Sequence, residues 1–170
     1  FPPIKMLLNN VGFDTEYVDI GRCGVTEQWD VVNTTADAHP IHVHMATSMR
    51  LIQRRRFNGV FYELFNPPPR VGREWRPNPD PHLYGSTDRA SGYEDSLKDT
   101  IIAPAFSVTR FTVTWPSADL LGFDPDERFE AGSLVVHDPA GGDHVHSDHD
   151  HHGLVGGYVW HCHILDHEDH

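Results

Sequence analysis

The chain has 170 residues, 38% of them hydrophobic, which suits one folded domain with a hydrophobic core. Its formal net charge of −12 at pH 7 argues against nucleic-acid binding and favours an acidic, soluble protein. No apolar run is long enough to span a membrane. The two cysteines say little about the redox compartment.

Alternating apolar and polar residues predict strands at 25–33 and 108–115. Further strands are predicted, in chain order, at 42–45, 49–52 and 157–163. The last of these is rich in aromatic and β-branched residues, as buried strands are. No long stretch with the 3.6-residue period of an amphipathic helix competes with them. Short strands punctuated by Gly, Pro and Asp predict an all-β fold, an antiparallel sandwich.

Two long irregular segments are predicted to interrupt these strands, at about 66–96 and about 120–156. The first carries six prolines, together with Trp75, Tyr84 and Tyr93. We interpret it either as one wall of a substrate pocket, on which a flat ring could stack, or as a proline-stiffened surface excursion.

The second segment contains a tract at 137–152 with six histidines and four aspartates. Such a tract could bind Cu(II) or Zn(II) loosely and help to load a metal. The interleaved aspartates and flanking glycines favour a flexible, solvated loop without a catalytic part.

Two histidine motifs carry the chemistry. The first is His39-Pro40-Ile41-His42-Val43-His44, and the second is His161-Cys162-His163 followed by His167. On a strand, residues two apart share a face and lie roughly 6.5 Å from each other. Each motif therefore offers ligands on both sides of the backbone: one set of His39, Cys162 and His167, and another of His42, His44, His161 and His163.

These donors suit copper, since a thiolate favours soft metals and one cysteine with two histidines forms the blue-copper electron-transfer site. A zinc site or buried structural histidines are the alternative. Zinc prefers a closed tetrahedral set of ligands and does not account for donors on two faces.

The two motifs together closely resemble the third, C-terminal cupredoxin domain of the multicopper oxidases, nearest to the bacterial spore-coat laccase, bilirubin oxidase and phenoxazinone synthase group. The resemblance extends over most of the chain, including 7–10, 27–33 and 98–100. It implies a cupredoxin Greek-key barrel with two loop insertions. It also implies type 1 copper at His39, Cys162 and His167, type 2 copper at His42, and type 3 copper at His44, His161 and His163.

The resemblance further implies a laccase-like oxidase. Such an enzyme takes single electrons from phenols, pigments or low-valent metal ions and reduces dioxygen to water at a trinuclear copper cluster. This sequence holds half of the cluster histidines of the family, and the axial position of the type 1 site falls beyond His170. We therefore expect residues 1–170 to be a fragment that lacks its N-terminal cupredoxin domains and is inactive alone. Family analogy suggests a secreted, periplasmic or spore-surface protein.

Two acidic residues are candidates for the catalytic chemistry. Glu168 follows the ligand His167 and, by resemblance, helps to supply protons for oxygen reduction. Asp99 is expected to orient a ligand or a turn from outside the metal's own ligands. An ordinary exposed carboxylate remains the alternative for Glu168.

Cys23 and an arginine run have plainer interpretations, and two competing functions remain. Cys23 is expected to be a small buried residue rather than half of a disulfide. The run Arg54-Arg55-Arg56 is expected at a solvated strand end. The competing functions are a single-domain electron-transfer cupredoxin, which leaves four histidines unexplained, and a copper-binding module built around the histidine and aspartate tract.

Overall fold

A computed structural model describes residues 7–12, 23–46, 48–122, 134–138, 142–146 and 159–168. These residues form nine strands: β1 (Thr26–Asn33), β2 (His39–Val43), β3 (Met49–Phe57), β4 (Leu83–Arg89), β5 (Thr100–Ala103), β6 (Ser107–Thr114), β7 (Leu134–Asp138), β8 (Gly142–His146) and β9 (Trp160–Cys162). They also form three short helices: α1 (Gly59–Phe65), α2 (Ala118–Leu121) and α3 (Leu165–Glu168). Single 3₁₀ turns occur at Asp80–His82 and Gly92–Glu94.

All strand pairs are antiparallel, and they make three sheets. The first has the order β1-β6-β3-β4, the second β5-β2-β9, and β7 pairs with β8 as a separate hairpin. The prediction of an all-β, antiparallel fold is therefore confirmed. Within the described ranges, none of the helices has the length and apolar character that a membrane span requires.

The core lies between the first two sheets. Phe111 and Val113 on β6 and Met49 on β3 are 0% exposed, and they cluster with Val43 of β2 and Ile101 of β5. Fully burying side chains of this size stabilises a fold by about 1.5–3 kcal/mol each. This shared core fixes the second sheet, which carries both histidine motifs, against the first.

Aromatic rings extend this core towards the second motif. Trp29 on β1 stands opposite Phe111 in the strand register and packs against Trp115 and Trp160, with centroid distances of 6.0 Å and 5.6 Å respectively. Trp160 directly precedes His161, so this packing fixes the backbone where the second motif begins.

The segment 66–96 is less irregular than predicted, because it contains β4, which pairs with β3. Six of the seven β4 residues are exposed. An edge strand with no buried face has no apolar alternation, so the pattern that marks other strands is missing here. The helix α1 was not predicted either. It begins after Asn58, whose side chain accepts a hydrogen bond from the Phe61 N–H.

The arginine run is partly buried, contrary to the predicted solvated strand end. Arg54 is only 9% exposed. Its guanidinium donates to both carboxylate oxygens of Glu94, at 3.0 and 2.7 Å, and to the Ile102 carbonyl. This pairing ties β3 to the turn before β5 and to β5 itself. The expectation for Cys23 is also wrong, since Cys23 is exposed.

The segment 120–156 contains the β7–β8 hairpin, so it too is not wholly irregular. The backbones of His137, His144 and His146 lie in these two strands. The remaining histidines of the 137–152 tract lie outside the described residues, and both interpretations of that tract stay predictions.

Candidate metal centres on two faces of one strand

Strand β2 runs along the middle of its sheet, between β5 and β9, and its pairing with β9 brings the two motifs together. Ile41 stands opposite Cys162, and His42 stands opposite His161. Directly opposed residues of an antiparallel pair point to the same face, and neighbours along a strand point to opposite faces. Cys162 therefore shares a face with Ile41 and His39, while His42 and His161 share the other face.

The first group, called here the cysteine site, consists of His39, Cys162 and His167. The Cys162 Sγ atom lies 3.3 Å from His39 Nδ1 and 3.4 Å from His167 Nδ1. The two imidazole centroids are 5.1 Å apart. All three residues are partly buried. Helix α3 supplies His167, and its first turn brings this ring back to the thiol on β9.

This geometry fits a shared metal ion. Metal–nitrogen and metal–sulfur bonds of about 2.0 and 2.3 Å, at tetrahedral to trigonal angles, place the two donor atoms about 3.5–3.7 Å apart. The observed separations of 3.3 and 3.4 Å are close to that span. One thiolate with two imidazole nitrogens is also the donor set that copper electron-transfer sites use.

The surroundings of His39 favour the neutral form of its imidazole. Burial lowers the pKa of His39 below its ordinary value, and the neighbouring His167 lowers it further, while Asp37 opposes the shift. A metal binds only the neutral imidazole, whose free nitrogen carries a lone pair. The lowered pKa of His39 therefore favours the neutral form that ligation would require.

The second group, called here the histidine site, consists of His42, His44 and His161. One ligand nitrogen from each lies within 4.8 Å of the others. His44 Nε2 and His161 Nε2 are 3.2 Å apart. His163 is more exposed than His42 and His161, and its ring centroid is 5.5 Å from that of His42 and 5.3 Å from that of His161. It stands at the rim of the group.

The ring of His42 is oriented by the segment before β5. His42 Nδ1 lies 3.1 Å from the Asp99 carbonyl oxygen and 3.0 Å from the Thr100 hydroxyl. A carbonyl oxygen only accepts, so the bond to Asp99 requires a hydrogen on Nδ1 and leaves the lone pair on Nε2 for a metal. The contact of Asp99 with this ligand is therefore through its backbone, and its side chain is exposed.

The remaining sequence-based candidates are Glu168 and the aromatic residues of the 66–96 segment. The backbone of Glu168 ends α3, but its side chain lies outside the described residues. The three aromatic residues of the 66–96 segment lie in separate environments. Trp75 packs on Tyr62 at 4.9 Å, Tyr84 lines an open groove of ≈ 740 Å³ beside α1, and Tyr93 is 76% exposed beneath Lys98. Both interpretations of the segment, as a pocket wall or as a surface excursion, stay predictions.

Sequence reasoning missed Thr35, which contacts the cysteine site, and Asn33, which contacts Thr35. Thr35 lies 2.7 Å from His39 Nε2, and Asn33 bonds Thr35. Both stand just upstream of His39, where β1 ends and a polar turn begins. The cue in the sequence is Asn-Thr-Thr a few residues before a ligand, a run that forms turns by bonding its own backbone.

The described structure is thus an antiparallel β domain with one cysteine-containing and one all-histidine candidate metal site on opposite faces of β2. No protein-family model matches the chain. Curated proteins do. The laccases of Bacillus subtilis (strain 168) and Bacillus stratosphericus are 29% and 30% identical to it over 164 residues, which is 96% of this chain and 22% of each laccase. The multicopper oxidase LPR1 homolog 1 of Oryza sativa subsp. japonica is 27% identical, covering 98% of this chain and 24% of that protein.

The chain is therefore similar to laccases and multicopper oxidases over nearly its whole length, as its two motifs predicted, and it spans less than a quarter of the length of these relatives. Among solved structures, a multicopper oxidase from Campylobacter jejuni, described as a metallo-oxidase, aligns with 91% of this chain and 19% of its own. The TM-score of that alignment is 0.45 and the sequence identity is 19%.

Proposed function

We propose that this chain is the C-terminal cupredoxin domain of a laccase-like copper oxidase. The cysteine site would hold a type 1 copper, and the histidine site, with His163, would supply ligands to a trinuclear cluster. A reducing substrate gives up electrons singly at the first site. Four such electrons, with four protons, reduce dioxygen to two waters at the second.

The observation that carries this proposal is the placement of Cys162 between two histidines. Cys162 faces one side of β9 and His161 faces the other, with the His163 ring 5.3 Å from that of His161. Bound copper would supply one-electron redox chemistry at each site. The chain supplies the covalent path between them, which runs from the thiol through one peptide unit to the adjacent imidazole. An electron-transfer cupredoxin without oxidase activity has no use for the histidine site.

The chain's other residues have defined tasks in this proposal. His39 and His167 hold their Nδ1 atoms towards the thiol, and Asp99 holds His42 through its carbonyl oxygen. Glu168 is proposed to pass protons to the site of oxygen reduction. The remaining cluster ligands are proposed to come from N-terminal domains of the same protein, and the reductant is proposed to be a phenol, a pigment or a low-valent metal ion.

The chain offers a matched pair of variants to test the cysteine site. In the full-length, copper-loaded protein, Cys162→Ser should abolish the intense thiolate-to-copper absorption and the type 1 EPR signal. Cys23→Ser removes the other thiol, which is exposed, and should leave both signals unchanged. A Cys162→Ser protein that keeps the blue band would refute the assignment of this site.

The histidine site needs a separate readout. His44→Ala or His161→Ala should lower copper content and stop oxygen uptake while the thiolate band persists. His82→Ala, which changes a histidine beside α1, serves as the control and should affect neither property. If oxygen reduction survives in His44→Ala and His161→Ala, the histidine site is not where oxygen is reduced. If the unmodified protein takes up no oxygen, the electron-transfer alternative replaces the oxidase.

The proposed proton donor is tested by Glu168→Gln. This change should slow oxygen uptake while the blue absorption and copper content stay at the wild-type level, because the side chain is not a proposed ligand. Asp99→Asn keeps the backbone carbonyl that His42 contacts, so it should leave copper binding unchanged. Unchanged turnover in Glu168→Gln would assign that carboxylate no part in the chemistry.

A further inference from the structure

The ligand His39 is the last member of a chain of hydrogen bonds that begins at a buried amide. Asn33, at the end of β1, is 5% exposed. Its Nδ2 atom lies 2.7 Å from the Asp37 carbonyl oxygen, 3.0 Å from that of Ala103 and 3.0 Å from that of Pro104. Asn33 therefore holds the turn between β1 and β2 against the end of β5, which pairs with β2 beside His39.

These contacts fix which end of the amide is which. Carbonyl oxygens only accept, so the atom facing three of them must be the donating Nδ2. The opposite atom, Oδ1, lies 2.9 Å from the Thr35 backbone N–H, which only donates. The Asn33 oxygen is thus fixed as an acceptor directed at Thr35 by partners that cannot exchange roles.

The direction of the next bond follows from that one. Thr35 Oγ1 lies 2.8 Å from Asn33 Oδ1 and 3.3 Å from the Asp37 carbonyl oxygen. Both neighbours are acceptors, so the hydroxyl proton is donated to one of them, with the shorter bond going to Asn33. The hydroxyl then presents a lone pair to its remaining neighbour, His39 Nε2, at 2.7 Å. That lone pair requires a hydrogen on Nε2.

We propose that Asn33 and Thr35 are positioning residues for the cysteine site, and that they hold His39 in the tautomer with hydrogen on Nε2 and the lone pair on Nδ1. Nδ1 is the nitrogen 3.3 Å from Cys162 Sγ. The same hydrogen bond fixes the rotation of the ring, so this ligand is preorganised before any metal arrives. This inference rests on the proposed function, because it takes the cysteine site to be a metal site.

The expected size of the effect comes from metal sites in general. A ligating histidine usually gives its second N–H to an outer partner, and loss of that partner lowers metal affinity about 10–100-fold. Thr35 is exposed, so its replacement by valine should leave the fold intact. Because Thr35 is exposed, water can replace the lost acceptor, and we therefore expect a loss near the lower end of this range, about 10-fold.

The experiment is a Co(II) titration of the full-length, metal-free protein in a Cys23→Ser background. The cysteine-to-Co(II) charge-transfer absorption that is lost in a Cys162→Ser control is the part that reports the site containing Cys162. Thr35→Val should raise the Co(II) dissociation constant about 10-fold. Thr35→Ser restores the hydroxyl and should stay near the parent value. Thr34→Val changes the adjacent threonine, which takes no part in the described network, and should also leave the affinity unchanged.

A second readout needs no metal. With histidine labelled by ¹⁵N in its ring, the His39 signals, identified by their loss in His39→Gln, should show a bare Nδ1 and a protonated Nε2. In Thr35→Val this tautomer preference should fall while that of His42 is retained.

The outcomes separate this inference from the proposed function. If Co(II) gives no thiolate band even in the parent protein, the cysteine site is not a metal site. If the band forms equally in the parent and in Thr35→Val and the His39 tautomer is the same in both, the metal site stands and the positioning role is refuted.

Discussion

The ion pair of Arg54 and Glu94 should contribute measurably to stability, and Glu94→Gln tests it. The side chains of these residues are only 10% and 23% exposed, and Arg54 also donates two hydrogen bonds to the Ile102 carbonyl. Glutamine keeps the shape of glutamate but removes the charge and turns one acceptor into a donor. One arm of the guanidinium fork then loses its acceptor and meets an N–H₂ group.

The magnitude follows from the degree of burial. Hydrogen bonds to charged groups contribute about 1.5–3 kcal/mol, and breaking a fully buried pair costs about 3–5 kcal/mol. This pair keeps some access to water, and the glutamine can still accept one bond. We therefore expect Glu94→Gln to lower the free energy of unfolding by about 2 kcal/mol.

The pH dependence gives an independent check. The hydrogen bond from Arg54 lowers the pKa of Glu94 below its ordinary value of 4.5, while burial opposes the shift. The folded pKa is therefore below the unfolded one. The carboxylate's contribution is present above pH 4.5 and is lost as the pH falls through the folded pKa. The stability difference between wild type and Glu94→Gln should shrink across that range.

The assay is urea unfolding followed by tryptophan fluorescence at pH 7 and at a series of lower pH values. The matched control is Asp95→Asn, which removes the charge from the exposed pair of Arg50 and Asp95, whose side chains are 56% and 62% exposed. Exposed pairs contribute about 0–1 kcal/mol, so the control should lose less than about 0.5 kcal/mol. Equal losses in the two variants would refute the reasoning that burial makes the Arg54 pair strong.

Three further predictions concern packing, capping and ionisation. Phe111→Ala empties a site that is 0% exposed and should cost about 3–5 kcal/mol in urea unfolding, whereas Phe65→Ala, at a ring that is 70% exposed, should cost far less; equal costs would place the core elsewhere. Asn58→Ala removes the cap of α1 and should cost about 1 kcal/mol, with faster amide exchange confined to that helix. Burial raises the pKa of Tyr62 to about 12, so Tyr62→Phe should remove the phenolate absorbance that appears only at very alkaline pH. Because the folded pKa exceeds the unfolded one, the Tyr62 contribution to stability is present below pH 10 and is lost as the pH rises towards 12. If Tyr62→Phe instead removes phenolate absorbance that appears near pH 10, the prediction is wrong.

The sequence predicts most of what concerns the two motifs. Period-2 alternation predicted β1 and β6, aromatic and β-branched content predicted β9, and the predicted strands at 42–45 and 49–52 overlap β2 and β3. The same period correctly placed Cys162 and His39 on one face and His42 and His161 on the other. Sequence spacing alone indicates such sharing of faces because the pleat of a strand is a local property.

Other features depend on tertiary contacts and are not encoded in a local pattern. The edge strand β4 buries no face, so its residues have no period to reveal it. The burial of Arg54 results from Glu94 and Ile102, which are distant in sequence. The contact of Asp99 with His42 uses a backbone atom, which no side-chain motif reports. The bond of Thr35 to His39 depends on how one turn folds back on β5.

Strand β2 presents candidate ligands on both of its faces, and this restricts how the sequence can change over evolutionary time. A single-residue insertion or deletion between His39 and His44 would reverse the faces of every candidate ligand on one side of it, so at least one candidate site would lose a ligand. The interval between the two motifs is under no such restriction, because β2 and β9 meet by lateral pairing and not through the intervening chain. Length variation among related sequences should therefore be absent within the motifs and concentrated between them.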